Sequence, residues 1–220
     1  AGAVFRRLYE LTHAGRIEAD SEILAVAGRC YERLGADFRP RWYLLASIAA
    51  AGEGEWLRDF ARLMSQDPPA DLIEASAALA PLFQRANYNP ADIFPALLDG
   101  LAHPQVAAAV LDLASFLTRN RQVDVHPARD SLPQLISLLK GVAARLEKLE
   151  QQPIDVSGSI GSQHQVSDSV AVATSLCDAL GLMGDEQAKT ALQDALHLRH
   201  RRIRVEAAAA LARLGDDDAV

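Results

Sequence analysis

Arg199, His200, Arg201, Arg202 and Arg204 form the densest basic cluster in the sequence. Such a group could bind an anion or nucleic-acid phosphates, since phosphate affinity comes largely from Lys and Arg. A structural reading competes with it. Arg199, His200 and Arg201 would lie at a helix C-terminus, where each cation is stabilised by roughly 0.3–1 kcal/mol. His197 and His200 are spaced to share one helix face and could hold a metal, but no nearby Cys or carboxylate completes a ligand set. The stretch Gly158 to Gly161 lacks the Lys-Ser/Thr of a phosphate loop and reads as a turn. Cys177 falls beside Leu176 and Leu180 on an apolar stripe, which predicts a buried structural thiol. Asp216, Asp217 and Asp218 lack calcium-loop spacing and read as an acidic first helical turn. Trp42, Tyr43 and Trp56 could line a ligand groove, or belong to the core or an interface. The candidate interaction surface is therefore Arg199, His200, Arg201, Arg202, Trp42 and Trp56. No catalytic, cofactor or metal set emerges.

The elements that must position these residues read as helices throughout. Val4, Phe5, Leu8, Tyr9 and Leu11 precede Gly15; Ile23, Leu24, Ala27, Cys30, Tyr31 and Leu34 precede Gly35. Both sets have helical spacing and a glycine stop. Pro40 opens a helix with Trp42, Leu45, Ile48 and Ala49 on one face, and Gly52 and Gly54 break it. Trp56, Leu57, Phe60, Leu63 and Met64 make the next helix, and another restarts behind Pro68 and Pro69 with Pro81 late inside it. Asn89, Pro90 and Asp92 mark a helix start at N-cap, N1 and N3. After "HPQ" a return helix carries Val106, Val110, Leu113, Phe116 and Leu117. Ser131 with Gln134 reads as a capping box before a long helix through Leu149. Residues 151–168, rich in Ser, Gly and Gln, read as a mobile loop. Helices resume from Val170.

An internal repeat appears near the end. "ALGLMGDEQA" (Ala179 to Ala188) superposes on "ALARLGDDDA" (Ala210 to Ala219), matching Leu180 with Leu211, Gly184 with Gly215 and Asp185 with Asp216. A spacing of about 31 residues marks stacked helical pairs, each glycine ending one helix and each aspartate capping the next. The stretches "ALGLMGDEQAKTALQDAL" and "IRVEAAAALARLGDD" resemble a HEAT-like repeat protein of the short-repeat, phycobilisome-lyase type. Arg204, one residue after Ile203, sits where that family commonly has arginine. The family often has an aspartate shortly before the turn; this chain has Leu196-His197-Leu198 there. "LLDGLAHPQVAAAVLDLASFL" (Leu97 to Leu117) is a weaker match. The resemblance implies an all-α right-handed α-solenoid of antiparallel helical hairpins: degenerate over 1–150, a flexible loop over 151–168, and regular repeats over 169–220. The last repeat stops midway, so the sequence predicts that the array continues beyond Val220.

Composition narrows the function. Half of the 220 residues are hydrophobic and only 5% are aromatic, and strand-type alternation is nearly absent. The net charge of −7 argues against non-specific nucleic-acid binding. Cys30 and Cys177 form no disulfide framework and fit a reducing, cytoplasmic setting. No signal peptide opens the chain, and no uninterrupted apolar run reaches a membrane span, so no membrane partner is expected. None of the six histidines is followed by Glu, unlike the iron-binding dipeptides of the HEAT-like deoxyhypusine hydroxylases. The expectation is a non-catalytic scaffold without a cofactor that binds a protein or peptide. The alternative is a HEAT-like enzyme, resembling a bilin lyase or an alkylpurine DNA glycosylase, or a nucleic-acid-binding module.

Overall fold

The computed structural model describes residues 1–17, 20–85, 88–151 and 159–216, and every regular element among them is a helix. The chain divides into two compact units, Ala1–Leu113 and Ala114–Val220.

The first unit holds α1 (Gly2–His13), α2 (Ser21–Arg33), α3 (Trp42–Ala51), α4 (Glu55–Gln66), α5 (Leu72–Gln84), α6 (Phe94–Asp99) and the start of α7 (Pro104–Arg119). Two rows result. α1 packs on α3 and α3 on α5, while α2 packs on α4 and α4 on α6. α3 joins the rows, because it also contacts α2 and α4. Its sequence explains this position. Leu44, Leu45, Ala46, Ser47, Ile48 and Ala49 are all buried, so the helix is apolar around its circumference, as a central helix must be. α4 is two-faced and buries Leu57, Phe60, Ala61, Leu63 and Met64.

Caps set the helix starts. Asp20 accepts the Ile23 N–H at 2.9 Å and Asp71 accepts the Glu74 N–H at 2.9 Å. Asn89 caps as the sequence predicts, accepting from the Ala91 N–H, although Pro90–Asp92 form a short 3-10 turn and α6 starts only at Phe94. Pro81 lies inside α5 without ending it.

The second unit holds the end of α7, then α8 (Leu132–Gln151), α9 (Ser159–Met183), α10 (Lys189–Ala195) and α11 (Arg201–Arg213). α8 packs on α9, α10 on α11, α9 on α11 and α10 on α8. Gly184 and Gly215 follow α9 and α11 with φ of 66° and 76°, the left-handed conformation that ends a helix. After Gly215 the Asp216 N–H returns to the Leu211 carbonyl at 3.0 Å. Asp185 caps the next turn by accepting from the Gln187 N–H at 3.0 Å. Each aspartate also meets a cation from the start of the preceding helix. Arg129 lies 3.8 Å from Asp185, and Lys189 lies 3.2 Å from Asp216. The partners in each hairpin therefore run antiparallel. Helices approach closely between Gly181 and the small face of α11, where Ala207 and Ala210 are fully buried.

Two expectations need correction. The stretch 151–168 is not a loop throughout: α9 begins at Ser159, and 152–158 lie outside the described residues. Once α9 exists, each added N-terminal residue gains a helical hydrogen bond, so polar Gln163, His164 and Gln165 extend it while exposed. The basic cluster stands at a helix start. α10 ends at Ala195, and Arg201 and Arg202 open α11 with His200 at its N-cap. The helix dipole there disfavours cations, so the stabilisation expected for a C-terminus does not apply. Asp217 and Asp218 lie outside the described residues.

Within α9, Gln163–Met183 is long and apolar enough to cross a membrane by length and composition, with a mean hydropathy of 1.3 over its most apolar 18 residues. Of those 18 residues 67% are buried inside the protein, and the helix carries the ion-paired Asp178.

Candidate functional site

Several arginines are committed to backbone carbonyls. Arg41, at 1% exposure, donates to Leu34 O at 3.0 Å and to Pro68 O at 2.9 Å, and forks onto Asp67 at 2.6 and 2.9 Å. Its guanidinium also lies 4.4 Å from the centre of the Tyr31 ring, and the Tyr31 hydroxyl donates to Asp67 O at 2.6 Å. Arg85 donates to Ala49 O and Gly52 O, both at 2.8 Å. Arg129 donates to Met183 O at 2.9 Å, and Arg204 to Leu198 O at 3.1 Å and Arg199 O at 2.6 Å. These are the carbonyls left over where a helix or turn ends. Arg204, part of the predicted basic cluster, thus braces the turn before its own helix.

The remaining predicted residues are divided between the two units. Arg199, Arg201 and Arg202 are exposed and His200 half-buried, all in the second unit. Trp42 and Trp56 are in the first. Trp42 stacks on Tyr43 at 3.9 Å, and Tyr9 of α1 meets both rings at 6.2 and 6.1 Å. This aromatic group joins α1 to α3. Trp56 lines a shallow depression of about 190 Å³ between α2 and α4, with Arg29, Glu32, Asp59 and Arg62 around it. Trp42 is not in that lining.

The second unit brings Ser115, His126 and Asp178 into one buried region, and these are the residue types of a hydrolytic triad. Their hydrogen bonds do not fit one. The Ala128 N–H donates to His126 Nδ1 at 3.2 Å, so the neutral ring carries its proton on Nε2, facing Ser115 Oγ at 3.5 Å. That nitrogen cannot take the serine proton. Burial also pushes the His126 pKa down to about 4. Asp178 is held instead by Arg119 and, at 3.2 Å, by Arg213. Burial, then the neighbouring Asp178, raises the Glu206 carboxyl. Cys177 is fully buried, as its place on the apolar stripe predicts, and burial pushes its thiol up to about 12. A thiol with that pKa is a poor nucleophile at neutral pH. No group of three or more His, Cys, Asp or Glu spaced to hold a metal occurs among the described residues.

The feature that does suit binding is a groove of about 380 Å³ between α1 and α2, with Leu44 of α3 in its floor. Val4, Phe5 and Leu8 form one wall, and Ile23, Val26, Ala27 and Cys30 the other. Val4 is 67% exposed and Val26 44% exposed, so the apolar walls face water. Asp20 and Glu22 complete the lining. The signal lies in α2. Leu24, Ala27 and Tyr31 form a buried stripe, and Ile23, Val26 and Cys30 form a second stripe beside it. The apolar arc extends past the buried stripe, since Val26 stays 44% exposed.

Comparison with known proteins finds no family model, curated protein or solved structure that matches this chain.

Proposed function

We propose that this chain is a non-catalytic interaction scaffold that binds a peptide segment of a partner protein in the α1/α2 groove. The observation that carries this reading is the open apolar groove with Val4 and Val26 turned to solvent. Its volume lies within the range of ligand-binding clefts, about 300–1,000 Å³. An apolar depression between two helices suits the apolar side of a short helix. The reading extends to architecture. The two-row packing within each unit and the repeated glycine–aspartate ends support a HEAT-like array of helical hairpins, wound as a right-handed solenoid. A cytoplasmic setting follows from the same reading and from two cysteines that form no disulfide.

Selection from a displayed peptide library tests the binding reading. The intact chain should enrich peptides with apolar residues at helical spacing, and Val26→Asp should abolish their binding while leaving the circular dichroism spectrum unchanged. Enriched peptides that bind Val26→Asp as well as the parent protein would place the binding surface elsewhere.

A further inference from the structure

We infer that the groove selects a peptide segment with a basic end. This rests on the peptide-binding reading above and adds the partner's charge. Among the described residues, the carboxylates lining the groove are Asp20 and Glu22, and no cation lines it. Both stand at the start of α2, Asp20 as the N-cap and Glu22 in the first turn, so their charge gathers at one end of the depression. The arginines of the opposite helix do not neutralise them. Arg6 and Arg7 turn to Glu10 on their own helix, at 2.9 and 3.4 Å. Neither Asp20 nor Glu22 enters an ion pair among the described residues.

A bound segment can therefore lay aliphatic side chains between Val4 and Val26 and set a Lys or Arg against Glu22. A segment ending in Asp or Glu would meet like charge there. Electrostatic complementarity of this kind sets specificity and orientation more than affinity, and the positive end of the α2 dipole offsets part of the acidic field.

Three synthetic peptides with the same leucines at helical spacing, flanked by Lys, Gln or Glu, provide the test. Fluorescence anisotropy against the intact chain should rank them Lys, Gln, Glu. The Lys peptide should bind about three- to tenfold more tightly than the Glu peptide, with the gap narrowing as salt is raised. Glu22→Gln should compress the ranking, and Glu22→Lys should level it, because the new ammonium offsets the retained Asp20. Asp20 is left unchanged because it caps α2. Equal binding of all three peptides, lost in Val26→Asp, would overturn the basic-end inference and leave the groove reading standing. Binding by none of them would overturn both.

Discussion

Gly181 of α9 lies directly against Ala210 of α11: a Cβ built on the glycine falls 2.7 Å from both the Cα and the Cβ of the alanine. Backbone stands on backbone here, so no flexible side-chain end can move aside. Gly181→Ala should lower stability by about 1–2 kcal/mol, because the overpacking cost exceeds the gain in helix propensity. Ala210→Gly in the same chain should recover part of the loss. Denaturant melts of the single and double variants measure both effects.

Arg41 supports the first unit by the opposite means, a long cation buried among fixed acceptors. Arg41→Met leaves the Leu34 and Pro68 carbonyls and the Asp67 carboxylate without their shared donor. The loss should be about 3 kcal/mol, the low end for breaking a buried pair, since Asp67 is 46% exposed and rehydrates. Arg41→Lys should recover only part of it, because an ammonium cannot span the same fork. Chemical unfolding of the two variants checks the ordering.

His126 makes stability depend on acid. Unfolded, it protonates near pH 6.5; folded, burial holds the pKa down to about 4. Between those values the unfolded chain binds more protons, so stability falls as pH falls through the window. The contribution at stake is about 3 kcal/mol. His126→Gln should flatten this part of the pH profile, and urea midpoints measured across the window for both proteins would show it. Parallel profiles would mean that water reaches the ring.

Arg204 and Arg201 share a helix and a charge but not a task. Arg204→Ala removes the donor to Leu198 and Arg199, and should cost about 1–2 kcal/mol. Arg201→Ala, on the exposed first turn, should change stability by less than about 0.5 kcal/mol. Thermal melts of the two variants side by side test the contrast.

Much of the local structure was legible. The apolar spacing of α2, α4 and α7, the glycine stops at Gly184 and Gly215 and the caps at Asn89 and Asp185 are signals confined to a few neighbouring residues. The buried place of Cys177 follows from Leu176 and Leu180 beside it. Arg41 was not legible, because its carboxylate partner is 26 residues away and an arginine just before Trp42, with Arg39 beside it, reads as surface. The spacing puts the basic cluster at the wrong end of a helix because α10 stops at Ala195, without a glycine or proline to announce it. The groove was half visible. Ile23, Ala27 and Cys30 read as core by spacing, and only Val26, outside the core stripe, shows that a second face exists.

The two-row packing of the first unit also sets a sequence of events in time. α3 is held by α1, α2, α4 and α5. Its amides can open only when the unit as a whole opens, and should exchange with solvent last. α1 rests on α3 and on the turn Arg39–Arg41, and can lift away while that centre stays shut. One wall of the groove therefore belongs to a fast clock and its floor to a slow one. Whatever settles between α1 and α2 should announce itself as a slowing of amide exchange along α1, with the rates in α3 unchanged.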